Sequence, residues 1–473
     1  MSFSNQFPAA TEAQWLDLVA RTLKGASFET LISRTVEGLK VEPLYTHGDG
    51  RRPLFFEPAP PASERPWDLR VIIDHPDPAL ANGQILQALD GGAASVLLRV
   101  ASEGRAGVAI GDLEAMRRAL EGVISEVAAV ALDAGFLGLQ CAQWLASTAK
   151  ASPASRLEFH LDPLSSFAQA GASPGPIADH VEACADAAAS LAAIHPRARL
   201  FLAAGQVIHE AGGGEAEELA LAMAAVVAYA KALVRSGLPA KQAFAGITVG
   251  LAVNADVVLS MAKLRAARIL WRKITQACGA VLPAHIQARS SRRMLTRADA
   301  WTNLVRLTLA GFAAAAGGAD VIALANFTDA LGAPTDLALR QARNIQLILM
   351  EEAGVGRVTD PAAGAWCVES LTSDLARAAW TQFTAIEAAG GLIAALEGGV
   401  IADRVALTRA ALAQGIASGV TRIVGVTDFR GDDDAPAVAP VGAPIRGALD
   451  PRLPGADSAC PALVPLCLQD LAA

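Results

Sequence analysis

Residues 199–253 read RLFLAAGQVIHEAGGGEAEELALAMAAVVAYAKALVRSGLPAKQAFAGITVGLAV, and the order of their parts decides the fold class. Arg199–Ala204 is a short apolar run of strand length. Glu215 to about Arg235 is a long Ala-rich helical stretch, and Gly246–Val253 is a second apolar run. A strand, a helix and a strand in that order make a crossover unit with parallel strands. Neither run alternates apolar with polar residues, so both faces of each strand are expected to be buried, as in parallel sheets. Further apolar runs flank this unit at Ser95–Val100, Ala128–Leu132, Leu157–Leu161, Ala284–Ala288, Asp320–Ala325 and Gly356–Val358. Helical stretches separate most of them, at Asp112–Val123, Ala255–Cys278, Trp301–Ala316, Asp336–Ala353 and Glu369–Ala389. Eight such strands close into a (β/α)8 TIM-type barrel, with a doubly wound open sheet as the competing architecture.

Two segments fall outside the alternation. Residues 1–94 hold one helical stretch, Thr11–Leu23, and then a path through Pro53, Pro58, Pro60, Pro61 and Pro66, read as an extended arm. The barrel is assigned to residues 95–400 and a closing helix with its following turn to 401–430. A short Pro/Gly-rich tail takes up 431–473.

Of the 473 residues 53% are hydrophobic and 18% charged, which excludes general disorder. The net charge of −8 and the lack of basic runs argue against nucleic acid and anionic membranes as partners. Six scattered cysteines without CxxC spacing read as free thiols, and no secretory leader is read at the N-terminus, so a cytoplasmic location is expected. His209 and Glu210 are adjacent rather than one turn apart, so they do not form a metal-binding pair. Gly212-Gly213-Gly214 opens a helix and is either an anion site or a plain loop. His160 and His285 fall at strands and are candidates for the barrel mouth. Asp162 and Asn326 end strands and are candidates for ligand contacts or helix caps. No catalytic set emerges from these residues alone.

Several stretches resemble the acyl-CoA mutase barrel of the methylmalonyl-CoA mutase family. They are TVEGLKVEPLYT at Thr35–Thr46, RPWDLR at Arg65–Arg70 and MAKLRAARILW at Met261–Trp271. Further along they are RQARNIQLILMEE at Arg340–Glu352, VTDPAAGAWCVESLT at Val358–Thr372 and RIVGVTDF at Arg422–Phe429. The resemblance runs from about residue 10 to 430. It implies an isomerase family that rearranges acyl-CoA through radicals made from adenosylcobalamin. This chain departs from the active pattern at the reacting groups. Ala62 stands where the family's tyrosine precedes the R-P-W motif. Gln206 and Val207 stand where G-Y-H supplies a histidine to the thioester carbonyl, and valine donates no hydrogen bond. The T-I-Q-N-D motif is reduced to Asp162 within Glu158–Asp162. His285 and Gln287 keep the substrate-contacting H-x-Q. No D-x-H-x-x-G motif for a cobalt ligand occurs, so no cobalamin-binding domain is expected.

The resemblance therefore implies a small, non-catalytic subunit with no catalytic residues, metal or cofactor of its own. It would support a large subunit that carries adenosylcobalamin, as a heterodimer. His285 and Gln287 would be its vestigial substrate contacts. The alternatives are an active barrel served by a separate cobalamin-binding protein, and an acyl-CoA-binding protein.

Overall fold

The computed structural model describes residues 10–46, 65–102, 105–149, 152, 154–431, 435–440 and 459–472. Its centre is a closed parallel barrel of eight strands. They are β1 (Asp68–Ile73), β2 (Ser95–Arg99), β3 (Ala129–Asp133), β4 (Leu157–Leu161), β5 (Arg199–Ala204), β6 (Ile247–Val253), β7 (Ile286–Ser290) and β8 (Val321–Ala323). Each pairs in parallel with the next, and β8 closes on β1 with Ala323 opposite Arg70. The helices lie outside: α1 (Glu12–Leu23) in the arm, then α2 (Pro78–Asp90), α3 (Leu113–Ala119), α4 (Gly138–Thr148), α5 (Ile177–Ile194) and α6 (Glu215–Arg235). They continue with α7 (Val257–Ala277), α8 (Asn303–Ala316), α9 (Asp336–Leu347), α10 (Trp366–Ala388) and α11 (Val400–Ala417).

The barrel architecture expected from the crossover units is present, but its first and last strands are not where the sequence reading put them. Gly356–Val358 is no strand; Val355–Arg357 is a turn of 3₁₀-helix. The missing strand is Asp68–Ile73, so the barrel begins inside the segment assigned to the arm, and α2 is its first helix. In the run DLRVII, Asp68 and Arg70 interrupt the apolar pattern of a buried strand. A charge inside a barrel strand is tolerated only where another strand answers it.

Outward-facing strand residues such as Val96, Leu98, Ile247, Val249 and Leu251 pack under the helices in one contiguous core. Ala-rich α6 lets α10 lie close against it as an outer layer, because small side chains allow helix axes to approach. The stretches that resemble the mutase family lock to one another in this shell. Trp67 Nε1 donates to Gln346 Oε1 at 3.2 Å. Arg265 donates to Glu369 at 2.8 Å and pairs with Asp360. After α11 the chain packs Ile423 and Val426 on Ile416.

The tail is only partly described. Its last stretch is not free: Cys460 N donates to Gly171 O, Leu463 N to Ala168 O, Leu466 N to Glu210 O and Leu468 N to Arg293 O. That path crosses the loops after β4, β5 and β7, on the barrel's C-terminal rim. None of the described helices is long and apolar enough to cross a membrane.

Candidate functional site

Strand alternation turns Arg70, Ser95, Glu158 and Gln287 into the lumen, and the four side chains meet there. Arg70 is 1% exposed. It donates to Glu158 through both terminal nitrogens, at 2.8 and 2.6 Å, to Gln287 Oε1 at 2.7 Å and through Nε to Ser95 Oγ at 2.8 Å. A forked guanidinium on a carboxylate is the strongest ordinary ion-pair geometry. Burial by itself would push the Glu158 carboxyl up, but the Arg70 charge holds it well below the usual range. His160 Nε2 lies 2.8 Å from Glu158 Oε2. Burial lowers the His160 imidazole, which favours its neutral form. β4 carries an irregularity between Glu158 and Leu161, and His160 sits at φ 45° in the left-handed region. A non-glycine residue there is strained and is held by its surroundings.

A second charged layer closes the C-terminal mouth, where barrels of this type place their chemistry. Asp133 at the end of β3 receives Arg289 Nη2 at 3.1 Å, Arg105 Nη1 at 3.3 Å and Arg99 Nε at 3.5 Å. Arg99 also reaches Asp74 at 3.1 Å. Burial opposes the Asp133 charge, but the three guanidiniums, Arg289 foremost, outweigh it and keep the carboxyl far below its ordinary value.

The residues singled out from sequence fall into this frame as follows. Gln287 is fully buried in the lumen, its Oε1 taken by Arg70 and its Nε2 without a partner. His285 precedes β7 and so lies at the N-terminal floor of the barrel, not at the mouth. Burial brings its imidazole down to about 3. The two stand two residues apart, His285 just before β7 and Gln287 within it. Gln206 and Val207 lie in the short helix Gln206–Glu210 after β5; Gln206 Nε2 donates to Leu251 O at 3.3 Å. Asp162 caps the helix Pro163–Ala170, accepting from Ser165 N at 3.2 Å and from the Tyr229 hydroxyl at 2.5 Å. Burial raises its carboxyl to about 7. Ala62 lies outside the described residues.

The glycine run opens α6, and an acceptor group does occupy that helix N-terminus. It is the arm's own Glu37, whose carboxylate accepts from Ala216 N at 2.9 Å and Glu217 N at 3.1 Å. A Cβ on Gly214 would lie 2.1 Å from Glu37 Cδ, so a larger residue here would push the Glu37 carboxyl off the helix N-terminus. Behind it, His209, Glu215 and Glu218 bring their ligand atoms within 4.8 Å of one another, a spacing that suits a metal ion. Lys263 Nζ already bonds Glu215 and lies 2.5 Å from Glu218, so an ammonium supplies the positive charge there.

Sequence reasoning missed the lumen pair. The signal available was chemical: DLRVII, LEFHL and IQARS each carry a charged or hydrogen-bonding residue at an inward position, and the charges are opposite. Such residues in buried strands demand partners across the barrel.

Together these features define a (β/α)8 barrel whose lumen is crossed by its own ion pairs. The Methylmalonyl-CoA mutase family model matches residues 64–443. The chain belongs to the methylmalonyl-CoA mutase family. It is 36% identical to a methylmalonyl-CoA mutase small subunit from Streptomyces virginiae, over 94% of this chain and 75% of the relative. It is 33% identical to the small subunit from Propionibacterium freudenreichii subsp. shermanii, over 83% of this chain and 64% of the relative. Identity to the Streptomyces virginiae large subunit is 28%, over 90% of this chain and 63% of that protein. The chain thus spans about two thirds to three quarters of the length of these small subunits.

Proposed function

We propose that this chain is the non-catalytic small subunit of a heterodimeric, adenosylcobalamin-dependent methylmalonyl-CoA mutase. In this reading the large subunit interconverts methylmalonyl-CoA and succinyl-CoA, and this chain supports it. The observation that carries the reading is the filled lumen. The Arg70–Glu158 pair spans the lumen, and a guest placed there would have to break it, at a cost of several kcal/mol for a buried ion pair. Val207 adds to it, since a valine cannot polarise a thioester carbonyl.

The residues at the mouth do not suit a corrinoid bound to this barrel. The Arg99–Asp133–Arg289 layer fills the lumen end, and the segment through Leu463 and Leu466 crosses the rim. Adenosylcobalamin is therefore assigned to the partner. The same occlusion speaks against an active barrel served by a separate cobalamin-binding protein. The arm is the partner contact we favour. Leu16, Leu18, Leu31, Val36 and Leu44 are exposed, and α1 has no buried residue. An amphipathic helix with an uncovered apolar face is what an obligate interface uses.

The test is a mutase assay with adenosylcobalamin on this chain alone, on the large subunit alone and on the pair. Turnover only when the large subunit is present, together with loss of co-purification on deleting residues 1–50, is the expected result. Turnover by this chain alone would overturn the proposal.

A further inference from the structure

Away from the lumen, the barrel wall has a seam. β8 is three residues long, and its pairing with β1 stops at Ala323 and Arg70. Beyond that point Val71–Ile73 and Leu324–Asn326 diverge, and a cleft of about 230 Å³ opens between them. Its floor is the edge of β1 that no longer pairs with β8, while the other edge of β1 stays bonded to β2. Its walls are α2, through Gln84 and Gln87, and α9, through Leu337, Arg340 and Arg343.

The charge in this cleft is unbalanced. Neither Arg340 nor Arg343 has a hydrogen bond or an ion pair among the described residues, while every arginine of the lumen and mouth is paired. Arg343 Nε is buried without a partner. Its guanidinium lies against Gly91, where a Cβ would come 2.3 Å from Cζ. A buried donor left unmet is costly and calls for an acceptor. Asp336, on the rim, is the one acid in the lining, against two free guanidiniums and the carboxamides of Gln84, Gln87 and Asn326. Guanidiniums one turn apart on a helix match the oxygens of a carboxylate or phosphate, and neutral amides complete such a site without opposing the charge.

We propose that the cleft between α2 and α9 binds a small dianion, a dicarboxylate or a phosphate, with Arg340 and Arg343 as its counter-charges and Gln84 and Gln87 as further donors. The site is separate from the lumen. Arg70 lines its deep end, but its guanidinium is committed to Glu158, Gln287 and Ser95. Binding here therefore needs no opening of the barrel. It rests on the geometry of the cleft alone, whatever the outcome of the mutase assay.

The experiment is calorimetric titration of the full chain with inorganic phosphate and, separately, with succinate, at constant ionic strength. Saturable binding of either probe supports the proposal. Phosphate alone would assign a phosphate ligand, and succinate alone a carboxylate. Arg340→Ala, at an exposed position, and Arg343→Ala should each weaken binding about tenfold or more, the worth of a charge-assisted hydrogen bond. Gly91→Ala keeps both charges but displaces the Arg343 guanidinium, and should weaken binding in the same way. Arg297→Ala removes an exposed arginine paired with Asp470 and should leave binding unchanged. No saturation with either probe, or equal weakening by Arg297→Ala, overturns the proposal.

Discussion

Replacing Glu158 by leucine should be the most damaging single change in the barrel, and replacing Arg70 as well should undo most of the damage. Glu158→Leu removes two charge-assisted hydrogen bonds, at 2.8 and 2.6 Å, from a guanidinium that is 1% exposed. The carboxylate that remains near Arg70, Asp68, is 3.8 Å away and is itself pushed towards neutrality by burial. Breaking a buried pair on one side costs about 3–5 kcal/mol, whereas exchanging both partners for apolar side chains of similar volume is near neutral or stabilising. The expected loss is thus ~3–5 kcal/mol for Glu158→Leu. Arg70→Met should cost less, because a buried carboxyl escapes by taking up a proton and a guanidinium cannot give one up. The double variant should fall within about 1 kcal/mol of the parent, a coupling of ~3 kcal/mol or more. Urea unfolding of the four proteins gives the cycle directly from the midpoints. The acid limb is a second readout. The folded Glu158 carboxyl lies below its unfolded value of about 4.5, so its contribution is full above that pH. It is lost as pH falls through the folded value, and only the parent should lose it. Additive effects, with coupling below about 0.5 kcal/mol, would refute the claim that one partner holds the other in the lumen.

Two further outcomes are expected. Burial, reinforced by Glu217 and Glu215, raises the arm's Glu37 to about 7 in the docked state. Its contribution to docking is fully present below about 4.5 and is lost as pH rises to about 7, by ~3 kcal/mol at most. Trypsin cleavage at Arg34 should speed up over that window in the parent and not in Glu37→Gln, while Gly214→Ala should expose the arm at every pH. A cleavage rate independent of pH in the parent would refute the linkage. Lys263→Met leaves Glu215 and Glu218 facing each other in the interior, and should cost ~3–5 kcal/mol at neutral pH, less in acid as a carboxyl protonates. An unchanged urea midpoint at pH 7 would show that the Lys263 ammonium is not what holds these carboxylates.

The crossover unit at 199–253 was enough to indicate a parallel sheet, because uninterrupted apolar strands separated by helices have few other ways to bury both faces, and the eight-fold repetition favoured the barrel over an open sheet. Motif-sized stretches pointed to the family, and Gln206 and Val207 stand where the resemblance expects a catalytic pair. The sequence by itself did not yield the first strand, since Asp68 and Arg70 look like surface until a partner is known. That partner, Glu158, is 88 residues away. Closure of the barrel brings them together, so only the tertiary structure decided that the lumen is filled, that Glu37 rather than a ligand caps α6, and that Arg340 and Arg343 are left unpaired. Local pattern records which residues can be buried. Whether a buried charge is answered depends on contacts between strands far apart in the chain, and no periodicity carries that information.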